Sequence, residues 1–182
     1  MLGMDMKWVA ISGSWRKTTD EIERAVRDAV HEIMFRGDGI VTGGALGVDA
    51  IALDEALRQN ILADRIKVFL PTTLEQYAVH FRKHAEVGTI TQQQAEDLIQ
   101  QLTHLKEKNR RALIEDPDTG FSEENKKEKY YGRNAHIIAA ADELFAFQVK
   151  SEASDGLGTL DAVEKAKTKG IPVTTRSWDL RR

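Results

Sequence analysis

Residues 40–57 read IVTGGALGVDAIALDEAL, and this stretch decides the fold. A short β-branched run, Ile40-Val41-Thr42, meets Gly43-Gly44-Ala45-Leu46-Gly47, and an apolar-periodic segment follows from Val48, with Asp49 in its first turn. Three glycines in five residues between a strand and a helix leave backbone N–H groups free to face an anion. The spacing G-G-x-x-G is neither the dinucleotide fingerprint G-x-G-x-x-G nor a Walker loop, since no Lys-Ser/Thr follows the last glycine. Asp49 reads as a helix cap or as an acceptor for a ribose or amino group.

Working outward, the same grammar recurs. Residues 7–12 (KWVAIS) predict a strand that ends in Ser12-Gly13-Ser14-Trp15-Arg16. Thr18 and Glu21 then have the spacing of a capping box. Ile22, Ala25, Val26, Ala29, Val30, Ile33 and Met34 follow with the period of a helix laid on a sheet. Residues 66–70 (IKVFL) predict a third strand, so the order opens β-α-β-α-β, and such short connections call for parallel pairing. Near the other end, 144–149 (LFAFQV) predicts a strand and 159–169 a helix, with Asp155-Gly156-Leu157-Gly158-Thr159 between them. Residues 171–174 make the last strand. The fold class is therefore α/β: a Rossmann-like parallel sheet flanked by helices.

The three glycine turns all follow strands. Carboxyl ends of parallel strands share one edge of a sheet, and ligands of open α/β sheets bind there. Gly13, Ser14, Arg16, Gly43, Gly44, Gly47, Asp49, Gly156, Gly158 and Thr159 are thus the ligand-binding candidates, with an anionic, phosphate-bearing ligand expected. Thr159 stands where its hydroxyl and N–H meet a phosphate at the positive end of a helix.

Residues 72–131 break the alternation. Helices are expected at 73–84 and 91–109, then a polar stretch at 115–129 with Asp-Pro-Asp and Thr-Gly turn signals. This reads as a helical insertion or lid on one domain spanning 1–182, with a short helix at 134–141 returning to the main pattern. His80 and His84 stand four apart, a spacing able to clasp a metal. Arg82 and Lys83 lie between them and no carboxylate completes a set, so a solvated helix face is the preferred reading. Lys126, Lys127 and Lys129 alternate with Glu123, Glu124 and Glu128 and read as a solvated segment. Trp15 is placed to stack on a base or to pack beside its turn.

Composition narrows the function classes. With 41% hydrophobic and 30% charged residues the chain is globular in type rather than disordered. Zero cysteines exclude disulfides and thiolate metal sites. No apolar run approaches the roughly 18–20 residues of a spanning helix, and the first residues lack the layout of a signal peptide, so the cytoplasm is the expected compartment. A net charge of −3, from 26 basic and 29 acidic residues, disfavours a nucleic-acid partner, although net charge is blind to a local basic groove. No cofactor and no metal site are expected.

In order, ISGSWR, VTGGALGVDAIALDEAL, GRNAHIIAAADELFAF and DGLGTLDAVEKAKTKGIPV resemble the SLOG superfamily. That group includes the DNA-processing protein DprA, the cytokinin-activating LOG proteins and small stand-alone nucleotide-binding relatives. The likeness spans about 7–71 and 131–175 and is strongest to DprA-like and stand-alone members. Their S/T-G-G/L-A-x-G-x-D motif is matched by Thr42 to Asp49, and their Arg-Asn pair by Arg133-Asn134.

The resemblance implies a phosphate pocket to which Arg133 and Asn134 contribute, and a homodimer or higher homo-oligomer. It also implies a nucleotide or nucleotide-derived ligand. LOG-like phosphoribohydrolase action on nucleoside 5′-monophosphates and DprA-like single-stranded DNA binding are the other implied activities. LOG proteins carry P-G-G-x-G-T-x-x-E. Here Ser154 and Asp155 hold its first two positions and Ala162 that of the glutamate. Asp161 lies one position earlier and Glu164 two later, and one position on a helix is a turn of about 100°. Arg133, Asp161 and Glu164 are the catalytic candidates if the chain turns substrate over. The expectation is of binding first, with enzymatic activity open.

Overall fold

The computed structural model describes residues 5–181, which contain six strands and six helices. In chain order they are β1 (Trp8–Gly13), α1 (Asp20–Phe35), β2 (Gly39–Gly43), α2 (Val48–Gln59), β3 (Ile66–Phe69) and α3 (Leu74–Glu86). Then come α4 (Gln92–Lys108), β4 (Leu113–Ile114), α5 (Lys126–Ala139), β5 (Glu143–Lys150), α6 (Leu157–Lys169) and β6 (Val173–Asp179). The strands form one parallel sheet in the order β4-β3-β2-β1-β5-β6. The chain thus builds outward from β1 on one side, then crosses back to build β5 and β6 on the other. The switch point falls between β1 and β5.

Alternation along the strands makes two buried layers. Val9 and Ile11 of β1 pack with α1 and α2 residues such as Val26, Ile33, Leu53 and Ala56. Ala10, between them, joins Val41, Leu144 and Ala146 against Ile137, Ile138 and Ala162 of α5 and α6. This second face is thus covered by α5 and α6, the helices that carry Arg133, Asn134, Gly158 and Thr159.

Segment 72–131 is packed into this core. Tyr77 and Phe81 of α3, and Leu98, Leu102 and Leu105 of α4, are fully or almost fully buried in the same cluster as Val9 and Ile40. A two-residue strand absent from the sequence reading, β4, extends the sheet beyond β3, pairing Val68 with Leu113 and Phe69 with Ile114. Two residues carry no periodicity signal, so only the pairing reveals it.

Other boundaries differ for local reasons. The cap of α1 is Thr19 rather than Thr18: its hydroxyl accepts from the Ile22 N–H at 3.3 Å. The reciprocal capping box forms instead at α4, between Thr91 and Gln94. Helix α5 starts at Lys126, eight residues before the expected position, through a stretch whose mixed charges read as a solvated segment. Strand β6 runs on to Asp179 because β5 is long enough to pair with it down to Lys150↔Asp179.

Candidate functional site

The carboxyl ends of β1, β2 and β5 converge on a cavity of about 310 Å³, the lower end of the range for small-molecule sites. Of the residues singled out from sequence, Gly13, Ser14, Asp49, Arg133, Asn134, Gly156, Gly158 and Thr159 line it, as does Trp15. Arg16, Gly43, Gly44 and Gly47 do not. The guanidinium of Arg16 lies 4.6 Å from the Trp15 ring centroid and reaches the Thr89 carbonyl at 3.5 Å.

The glycines act differently from one another. At Gly47, φ is +76°, and a Cβ would lie 2.3 Å from the Ser14 carbonyl oxygen. The two turns touch backbone to backbone there, pinned by the Val48 N–H donating to that oxygen at 2.9 Å. A Cβ on Gly43 would run into the Arg133 guanidinium at 2.3 Å. Gly43 is therefore the floor on which the arginine rests. Gly13 and Gly44 admit the side chains of Val48 and Leu70. Gly156, at φ +73°, caps α6 in the left-handed conformation. Gly158 lines the cavity and has open space where a Cβ would go.

Arg133 is the focus of the electrostatics. Its Nη2 donates to Asn134 Oδ1 at 3.2 Å and its guanidinium carbon lies 5.1 Å from the Tyr130 ring centroid. Its Nε and Nη1 are buried without a hydrogen-bond partner. Asn134 is itself fixed: its amide donates to the Gly158 carbonyl at 3.3 Å and to Asp161 at 3.1 Å. Asp161 is also paired with Lys165. Neither Asp161 nor the exposed Glu164 lines the cavity, so both catalytic candidates on α6 stand behind the site or outside it.

At the start of α6 the N–H groups of Thr159 and Leu160 both donate to the Gly156 carbonyl, each at 3.1 Å, and those of Leu157 and Gly158 lack helical acceptors, as at any helix start.

Asp49 is buried, and burial pushes its carboxyl up to about 6, with Arg133 pulling the other way. A carboxyl raised in the folded state favours folding below its unfolded value, and that advantage fades as pH climbs through the folded value. Asp49→Asn is therefore expected to match the parent protein near pH 4. By pH 7.5 it should be more stable by about 3 kcal/mol, the equivalent of roughly two pH units. Urea midpoints at the two pH values check this. A variant weaker than the parent at pH 7.5 would show that the ionised carboxylate stabilises the fold.

Of the α5 wall, sequence reasoning found Arg133 and Asn134 but missed Lys126, Lys127, Tyr130 and Tyr131. Lys127, Tyr130, Tyr131 and Asn134 sit at i, i+3, i+4 and i+7 of α5 and face the cavity together with Lys126. That period was present in KKEKYYGRN, masked by the alternating charges. Tyr131 has Lys127 and Lys165 ammonium groups 5.7 and 5.4 Å from its ring centroid. His80 and His84 also line the cavity, half-buried rather than on a solvated face. Burial, then the neighbouring His84, lowers His80 to about 4, and burial also lowers His84.

A parallel sheet with a cavity at its switch point and glycine turns on three strand ends is the architecture of a Rossmann-like protein, and the family match places it in the SLOG superfamily. Residues 2–180 match the family model for DNA recombination-mediator protein A, and the chain belongs to that family. DNA processing protein A from Helicobacter pylori, described in a single-stranded DNA binding mode, is similar in structure. The two share a TM-score of 0.61 and 22% identity over 93% of this chain and 64% of that one. A molybdenum cofactor binding protein from Rippkaea orientalis gives 0.55 and 17% over 97% and 80%. DNA processing protein A from Streptococcus pneumoniae gives 0.55 and 17% over 93% and 50%. The chain thus spans about half to two thirds of the DNA processing proteins it resembles. No curated protein matches it. Among the described residues no helix is long and apolar enough to cross a membrane.

Proposed function

We propose that the switch-point cavity binds one nucleotide through its phosphate. The observation that carries this reading is Arg133: a guanidinium with two buried, unpartnered nitrogens beside the start of α6. Leaving such donors dry is costly, and a phosphate is the planar guanidinium's natural partner. Thr159 and the N–H groups of Leu157 and Gly158 supply the helix-end side of the cradle. Trp15 and Tyr131 offer aromatic faces for a base, and Asp49 accepts from a sugar or base donor. Asp161 and Glu164 lie off the cavity wall, which supports binding over glycosidic hydrolysis.

A second reading is that the nucleotide belongs to single-stranded DNA. Family membership and the single-stranded DNA described for the Helicobacter pylori protein favour it. The net charge of −3 counted against nucleic acid, but it hides a cavity wall that carries Lys126, Lys127 and Arg133 beside Trp15 and Tyr131. Cations interleaved with aromatics are how single strands are held without sequence preference.

A thermal-shift panel of nucleoside monophosphates, dinucleotides and oligo-dT separates the two readings. A ligand at about 100 times its dissociation constant stabilises by roughly 2.7 kcal/mol, about 5–10 °C here. Mononucleotides that shift the midpoint while oligo-dT does not support the first reading. Oligo-dT binding that falls steeply with salt, and that a mononucleotide displaces, supports the second. No shift from any of them in the folded protein sinks both.

A further inference from the structure

A second constellation stands beside the phosphate cradle. His80 and His84, one turn apart on α3, bring their Nε2 atoms to 3.1 Å, with the rings nearly perpendicular. Glu123, from the segment leading into α5, completes a set whose ligand atoms all lie within 4.8 Å of one another. We propose that His80, His84 and Glu123 form a site for a divalent transition metal, with an open coordination position facing the cavity.

The geometry suits this assignment. Zinc–nitrogen bonds of about 2.0–2.1 Å at a tetrahedral angle put two ligand nitrogens about 3.3 Å apart, close to the separation found. Packing restrains both rings. His80 meets Phe81 and Phe121 edge-to-face at centroid distances of 5.4 and 4.9 Å. His84 lies 5.7 Å from Trp15. Two imidazoles with one carboxylate select zinc, cobalt or nickel over magnesium or calcium, which prefer all-oxygen shells. Both histidines line the cavity, so a metal held by three protein groups would present its remaining position there.

Lys126 already pairs with Glu123, which places a positive charge beside the two rings. A metal ion must displace that ammonium or share the carboxylate with it. This gives the proposal a signature that histidines meeting by a simple hydrogen bond would lack: removing the lysine should strengthen metal binding. The proposal stands apart from nucleotide binding and is tested without a nucleotide.

The experiment uses the untagged, chelator-stripped chain, titrated with Zn²⁺ by calorimetry and with Co²⁺ by visible absorption. The expected result is one equivalent per chain and cobalt bands of four-coordinate type. His84→Asn and His80→Gln should each weaken binding by more than about tenfold, since loss of an outer-shell partner alone brings 10–100-fold. Glu123→Gln should weaken it less, and Lys126→Met should tighten it several-fold. His31→Asn and His104→Asn, at exposed positions away from the site, should change nothing. Circular dichroism checks the fold. If His80→Gln unfolds, His84→Asn and Lys126→Met still decide the matter. The proposal is overturned by a lack of saturable binding, by affinity that survives His84→Asn, or by weaker binding in Lys126→Met.

Discussion

Gly47→Ala is expected to destabilise the protein by about 4 kcal/mol, a large share of the 5–15 kcal/mol that holds a typical domain together. Two independent costs add. With φ at +76° and ψ at −128°, Gly47 occupies backbone space that side chains scarcely enter, a strain of about 1–3 kcal/mol. The new Cβ would also sit 2.3 Å from the Ser14 carbonyl oxygen and 2.8 Å from the Trp15 carbonyl carbon. Backbone cannot rotate away as a side chain can, so the β1–α1 turn must shift, at a further cost of about 1–3 kcal/mol. The midpoint should fall by roughly 8–16 °C.

Gly158→Ala is the control. Its Cβ would meet nothing within 4 Å, and alanine is the better helix former by up to about 1 kcal/mol. Stability should hold or rise while ligand binding drops. Thermal and urea melts of the pair check this. A cost below about 1 kcal/mol at Gly47 would mean that the two turns do not meet as described.

This contrast shows what the sequence could and could not express. G-G-x-x-G followed by an amphipathic run announced a strand, a tight turn and a helix, and three such turns placed the site on one sheet edge. Glycine's letter is the same, however, whether it admits Val48, as Gly13 does, or borders open cavity, as Gly158 does. Only coordinates separate those roles.

The core of α1 was legible because its apolar residues repeat without interruption. The first turns of α5 were not, because Lys126 to Lys129 carry the charges of a solvated segment while their tyrosine neighbours turn inward. Pairing over long sequence distance was also invisible. Glu123 lies 39 residues beyond His84, and nothing local ties them together. Asp161 was placed on the right helix, yet its rotation toward Asn134 and Lys165, away from the cavity, needed the structure.

Arg133→Ala should separate binding from folding more sharply than any other change. In the free protein the Nε and Nη1 groups gain no hydrogen bond, and a buried donor left in that state costs about 1–3 kcal/mol. Near pH 4, where Asp49 is protonated in the fold, removing the guanidinium should therefore cost little stability. The lost contact with Tyr130 roughly offsets the relief of those two groups. Binding should respond in the opposite sense. Each hydrogen bond from a charged donor to phosphate contributes about 1.5–3 kcal/mol, so losing a two-pronged contact predicts a fall in affinity of at least a hundredfold.

Arg133→Lys should recover only part of that loss, since an ammonium supplies charge without the planar fork. Asp49 provides a second readout. Arg133 holds its carboxyl down against the effect of burial, so the alanine variant should protonate Asp49 at higher pH and lose stability with rising pH over a wider window. The dissociation constant for whichever nucleotide or oligo-dT gives the largest thermal shift, measured beside a urea melt, tests both halves. Affinity within about threefold of the parent would remove the arginine from the phosphate site. Collapse of the fold would instead make it a structural cation whose partner is Asp49.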